Sequence, residues 1–251
     1  MNIPLPSLID EALEISDTLL KMIKDFKKIM MKKFLEVDEH ADILKIYESG
    51  FPSSPWKIVM LKELVTPDGI VQGLQDELFY EGSHSENGYP LLLPAHIKSL
   101  RFQPDRFRYI SGKSVSEKYM VQGGDIIMLQ HGDEKGACAF VPFMHEDSIL
   151  GCGMIRIRTD ADLCEVFYIA NILHFYYNTG IMKNLKEEGS GRIDPSVLSR
   201  MPVPLPPLER QKQIADFMLQ LSVGMAAQEN YCKEMFRIKK LIEIGEKEVN
   251  G

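Results

Sequence analysis

The residues best equipped for covalent chemistry are Cys152, set between Gly151 and Gly153, with His131 or His145 as a base for its thiol. A cysteine inside an apolar strand is more usually a small core residue, so a cysteine-dependent hydrolase ranks third, behind two binding roles. Other catalytic signatures are missing. No lysine and serine follow Gly151-Cys152-Gly153 at the spacing that cradles a phosphate, and no longer glycine fingerprint opens a helix after a strand. No histidine pair with a glutamate sits one helical turn apart, as a metallohydrolase needs. No Asn-Pro-Pro-aromatic or Asp-Pro-Pro-aromatic tetrad is present to hold a flipped adenine. The expectation is a chain with no catalytic centre, no metal site and no cofactor of its own.

Residues suited to binding are more plentiful. Between Lys98 and Lys118 stand six basic residues against two acids, a basic stripe in an acidic chain. Arginine and lysine attract phosphates, while Asn, Gln, Arg and Ser on loops address base edges in the major groove. Candidates for phosphate contact are Lys98, Arg101, Arg106 and Arg108, with Lys183 and Lys186 further on. Candidates for base contact are Gln130, His131 and Lys135 in a glycine-bracketed turn, and Ser190 and Arg192 in a glycine-serine loop.

These residues need a scaffold. At 251 residues and 45% apolar composition the chain can form one large domain, or one domain with helical appendages. A net charge of −7 argues against coating nucleic acid by bulk attraction. Apolar runs are soon interrupted by charge and the start lacks the form of a signal peptide, so a cytoplasmic protein is expected. Cys138, Cys152, Cys164 and Cys232 show no metal-ligand spacing and read as thiols in a reducing compartment.

From Ser7 to about Glu36, Leu8, Ala12, Ile15, Leu19, Met22, Phe26 and Ile29 recur in alternating steps of four and three. This predicts a long helix with a coiled-coil stripe, widened by Leu20, Ile23 and Met30 so that it can touch more than one neighbour. Residues 41–48 could add another helical stretch. Strands are expected over 56–61, 89–93, 126–129, 137–141 and 149–157, and a buried helix over 162–179. After Leu208 the positions Ile214, Met218, Leu221, Met225, Gln228, Cys232, Met235, Lys239 and Ile242 again step four and three, predicting a second coiled-coil helix. The expected interface residues are Leu19, Met22 and Phe26 on the first helix and Ile214, Met218, Leu221, Met225 and Met235 on the second.

A short motif heads each helix. Ile3-Pro4-Leu5-Pro6-Ser7-Leu8 returns as Val203-Pro204-Leu205-Pro206-Pro207-Leu208, identical at four of six positions. The prolines favour an extended arrival and then a helix start, with Ser7 as a cap in one copy and Pro207 as first helical residue in the other. The fold class is therefore α+β: one mixed α/β domain, residues 51–202, flanked by two long coiled-coil-forming helices in 1–50 and 203–251.

The run from Pro202 to Ile214, reading Pro-Val-Pro-Leu-Pro-Pro-Leu-Glu-Arg-Gln-Lys-Gln-Ile, resembles the junction between a target-recognition domain and its long helix in DNA-specificity subunits of type I restriction-modification systems. The order upstream is similar too: a tryptophan-led strand, a variable loop, Gly88-Tyr89-Pro90, the strand and glycine turn from Val121 to Gly136, and a Gly-Ser-Gly loop. The resemblance implies a non-catalytic subunit that binds double-stranded DNA. It also implies methyltransferase subunits that use S-adenosylmethionine, and possible nuclease or translocase subunits, as partners. Family members usually carry two recognition domains; this chain carries one, so the resemblance implies a half-length form that pairs as a homodimer through its heptads. The rival reading is a coiled-coil scaffold whose middle domain binds protein.

Overall fold

The structure is a computed structural model that describes residues 5–35, 43–51, 54–74, 84–98, 101–102, 107–110, 115–145, 147–185 and 191–249. It divides into two compact units, residues 1–32 with 216–251, and residues 33–215. The boundaries expected near 50 and 203 both fall inside the second unit.

The first unit is a pair of antiparallel helices, α1 (Leu5–Phe34) and α6 (Leu208–Val249), each of which also extends into the second unit. Helix α1 is already under way at Leu5, so Ser7 lies inside its first turn and is not the cap. The apolar seam joins Ile9, Leu13 and Leu20 of α1 to Cys232, with Met235 and Ile242 packed against them. Polar contacts fix the register: Lys239 Nζ donates to Asp10 Oδ1 at 2.5 Å, Lys27 Nζ to Ser222 Oγ at 2.8 Å, and Cys232 Sγ and Gln228 both reach the buried Ser16 hydroxyl. The α6 stripe therefore lies where the four-three spacing puts it. On α1 the seam runs one residue later than the predicted stripe. Leu8, Ile15, Leu19, Met22, Phe26 and Ile29 are all exposed.

Two four-stranded sheets make the second unit. One has the order β2 (Val65–Gln72), β11 (Met154–Thr159), β8 (Ile126–Leu129), β9 (Cys138–Phe140), antiparallel throughout. The other has the order β6 (Arg108–Ile110), β3 (His84–Leu92), β10 (Ser148–Leu150), β7 (Met120–Val121), with β3 and β10 parallel. The strand predicted over 149–157 is thus two strands in different sheets, broken at Gly151 to Gly153, which lets the chain pass from one sheet to the other. A small hairpin, β4 (Ile97–Lys98) with β5 (Arg101–Phe102), places Ile97 and Phe102 against a core of Ile127, Leu129, Ala139 and Met154. Strand β2 goes unread in the sequence because Thr66-Pro67-Asp68-Gly69 has turn composition; Asp68 indeed takes φ 55° where the β2–β11 register shifts.

The second proline motif forms β12 (Pro202–Leu205), paired antiparallel with β1 (Lys57–Met60). Prolines have no amide hydrogen, so such a strand suits a sheet edge and its carbonyls need other partners. They find them on α3 (Val166–Asn178), the buried helix of the prediction: Tyr168 Oη donates to Pro204 O at 2.5 Å and Tyr176 Oη to Pro202 O at 2.8 Å. Gln211, 1% exposed in the first turn of α6, donates to Pro206 O at 2.8 Å and accepts from the Glu165 amide at 2.9 Å. Glu165 in turn caps α3. At the other junction Trp56 Nε1 donates to Phe34 O at 3.3 Å, and the Arg210 guanidinium lies over the Phe34 ring, 5.5 Å from its centroid.

Burial pushes the Tyr168 and Tyr176 hydroxyls far above their ordinary range, so both remain donors across the working pH range. Tyr168→Phe leaves the Pro204 carbonyl buried without its donor and is expected to cost about 1–3 kcal/mol in urea unfolding. Tyr109→Phe, at an exposed hydroxyl, should stay within about 0.5 kcal/mol of the parent.

Candidate nucleic-acid interface

The hairpin from β8 to β9 is closed by reciprocal bonds, Gly136 N to Leu129 O and Leu129 N to Ala137 O, both 2.8 Å. Its turn, residues 130–136, is held from three directions. Gln130 is 2% exposed; its Oε1 accepts from Gln72 Nε2 and its Nε2 donates to Ile193 O, both at 2.9 Å, while the Ile193 amide donates back to Gln130 O. Lys135 Nζ reaches the carbonyls of Lys183 and Gly191 at 3.3 Å each. Gly136 has φ 89°, and a Cβ there would stand 2.5 Å from Met182 Cβ, so only glycine fits against α4 (Ile181–Asn184). Gly153, at φ 75°, gives the same room to His131, whose Nε2 would be 2.6 Å from a Cβ on it.

Two segments far apart in sequence thereby meet the turn. His131, Lys183 and Arg192 are exposed around it, and Lys135 is half-buried. Asp133 and Glu134 are exposed in the same turn, so the tip carries mixed charge. Of the expected base-contact residues, His131 and Arg192 offer their side chains outward and Lys135 braces the backbone. Gln130 is corrected: its carboxamide is fully engaged inside the fold and positions the turn. Ser190 lies outside the described residues, as do Lys186 and Arg106. Sequence reasoning missed Gln72; a glutamine beside a glycine at the end of an apolar strand was the one available signal.

The basic stripe stands elsewhere. Lys98 is exposed on β4, opposite Arg101, whose backbone alone is described; Arg108 is exposed on β6, opposite Leu91. Behind the hairpin, the His145 ring packs 4.7 Å from Phe102 and lies 3.3 Å from Ser148 Oγ. The thiols of Cys138 and Cys164 are pushed up to about 12, the first by burial alone and the second chiefly by burial, so both stay protonated near neutral pH.

The buried Arg156 and the half-buried Arg158, also unforeseen, brace the opposite end of the sheet. Arg158 clamps Asp125 through two bonds of 2.7 and 2.8 Å, and that hydrogen bond is the main cause raising the guanidinium above its ordinary value. Arg156, lowered chiefly by burial, donates to the carbonyls of Lys118, Met120 and Asp68. Among the described residues, no group of three His, Cys, Asp or Glu side chains is placed to hold a metal ion.

The comparisons with known proteins agree with one another. A family model described as "Type I restriction modification DNA specificity domain" matches residues 55–230. The putative type I restriction enzyme MjaX specificity subunit of Methanocaldococcus jannaschii is 23% identical over 177 residues, covering 68% of this chain and 40% of that protein. The chain thus spans less than half the length of that relative. In fold it is similar to the S subunit of a type I restriction-modification system from M. genitalium, with TM-score 0.61, 15% identity, and coverage of 94% of this chain and 57% of the other. It is also similar to the HsdS subunit from Thermoanaerobacter tengcongensis, with TM-score 0.55, 18% identity, and coverage of 94% and 55%.

The brace role of Gln130 is testable by stability. Gln130→Leu keeps the volume but leaves the Gln72 amide and the Ile193 carbonyl unpaired, and should cost about 1–3 kcal/mol in urea unfolding. His131→Ala, at an exposed side chain, should change it by less than about 0.5 kcal/mol.

Proposed function

The chain belongs to the type I restriction-modification DNA specificity family, and from that premise we propose that its middle domain reads one half of a split site in double-stranded DNA while its helices dock methyltransferase subunits. The chain itself supplies recognition and no catalytic group. Adenine methylation, with S-adenosylmethionine as methyl donor, belongs to the partner subunits, as would any cleavage or translocation by further subunits. One recognition domain reads one half-site, so the complete reader contains two copies of this chain as a homodimer, and its target is a gapped inverted repeat. The working compartment is the cytoplasm.

The observation that carries this reading is the convergence of the glycine turn with Lys183 and Arg192. Loops from separate parts of the domain are braced through their backbones by Gln130 and Lys135, which leaves His131, Lys183 and Arg192 facing solvent. That division suits DNA reading, where rigid placement lets a few side chains discriminate bases and cations position the phosphates. Lys98 and Arg108 supply more positive charge along the domain.

Binding to duplex DNA that contains the target should weaken with salt through counterion release. If Lys183 contacts a phosphate, Lys183→Ala lowers the slope of log affinity against log salt by about 0.9 and weakens all sequences alike. If Arg192 contacts a base, Arg192→Ala narrows the gap between target and non-target DNA by about 1–3 kcal/mol with the slope little changed. Titrations from 50 to 300 mM salt, on target and scrambled duplexes, separate the two roles; no measurable affinity for either duplex would refute DNA binding, and a salt-independent affinity would refute the phosphate contacts.

A further inference from the structure

The segment that carries Arg192 is gripped by the glycine turn at three consecutive peptides. Lys135 Nζ donates to Gly191 O at 3.3 Å, the Ile193 amide donates to Gln130 O at 2.9 Å, and Gln130 Nε2 donates to Ile193 O at 2.9 Å. Both peptides that flank the Arg192 Cα are therefore bonded to the turn, which sets the direction in which its exposed side chain leaves the backbone.

Of these bonds, the one made by the Gln130 side chain depends on a further residue. A carbonyl only accepts, so the Gln130 amide group must face Ile193 O, and its Oε1 is left pointing elsewhere inside the fold. Gln72 Nε2 supplies the donor for that oxygen at 2.9 Å. Without it the oxygen is unpaired, and a half turn of the carboxamide would set Oε1 against Ile193 O. Gln72 itself is firmly placed. It ends β2, opposite Ile155 of β11, and the next residue, Gly73, donates its amide to Met154 O at 2.9 Å where a Cβ would overlap the Gly151 carbonyl.

Resting on the reading of the middle domain as a half-site reader, we propose that Arg192 reads a guanine and that Gln72, acting through Gln130, is the positioning residue for that contact. A guanidinium presents paired donors in a rigid fork, and of the four bases guanine alone offers two adjacent acceptors, N7 and O6, in the major groove. Such a contact tolerates a displacement of only about 0.5 Å, so the peptides that carry it need a support that does not yield. The turn keeps its own shape without Gln72, because backbone bonds among Leu129, Gly136 and Ala137 close it. Loss of Gln72 thus acts on Arg192 and spares His131.

The test is selection from a random-sequence duplex library by the full chain in the presence of its methyltransferase, with sequencing of the bound fraction. The parent should enrich a motif, and Arg192→Ala should erase a guanine preference at one position in each half-site. Gln72→Met, which keeps the length but donates nothing, should lower the preference at that same position about fivefold and leave the rest of the motif unchanged. Gln72→Lys restores a donor at a half-buried site and should keep the preference; its added charge attracts all sequences alike and does not alter the motif. Gln72→Met combined with Gln130→Met should lose no more than Gln130→Met alone. Should Gln72→Met fold poorly by circular dichroism, Gln72→Glu, equal in size and offering only acceptors, takes its place with the same expectation. A motif unchanged by loss of the Gln72 donor, a uniform loss at every position, or an erased preference for a base other than guanine would overturn the inference and leave the half-site reading standing. A parent that enriches no sequence would overturn both.

Discussion

The carbonyls of three alternating prolines fix this molecule. Pro202, Pro204 and Pro206 cannot donate to a sheet, and each hands its oxygen to one buried side chain: Tyr176, Tyr168 and Gln211. The first two stand on α3 and the third on α6, so one extended segment pins the domain's central helix to the start of its long outer helix. β1 closes the other side of β12, and Trp56, just before β1, bonds the last carbonyl of α1. The entry and exit of the domain are therefore fixed in one joint. An unpaired carbonyl there would cost about 1–3 kcal/mol.

The same economy shapes the recognition end. Gln130 and Lys135 have side chains suited to touching bases, yet they spend them on carbonyls of neighbouring segments. Gly136 and Gly153 take backbone angles other residues reach only with strain and let Met182 and His131 close in. The backbone of three segments is braced this way, with His131, Lys183 and Arg192 exposed around the turn.

Much of this was legible in the sequence. The two long helices, the glycine turn between β8 and β9, and the buried α3 follow from periodicity and composition, and the run from Pro202 to Ile214 pointed to the family. The α6 seam was legible because one stripe dominates there. On α1 the predicted stripe is exposed and the seam with α6 runs one residue later, because α1 has two apolar stripes about 100° apart and periodicity alone cannot say which one its own chain covers. Strand β2 was hidden by a bulge with turn composition. Gln130 was read outward because polarity predicts exposure only when no partner waits inside, and Gln72 and the Ile193 carbonyl are distant in sequence.

The central claim is that this chain selects DNA sequence for a methyltransferase that lacks that selectivity alone. The most direct measurement is modified-base sequencing of genomic DNA from cells that express this chain with its methyltransferase, against cells that express the methyltransferase alone. The account predicts a new gapped, palindromic methylation motif in the first culture and none in the second. Identical methylation patterns in both, with both proteins present and soluble, would contradict it.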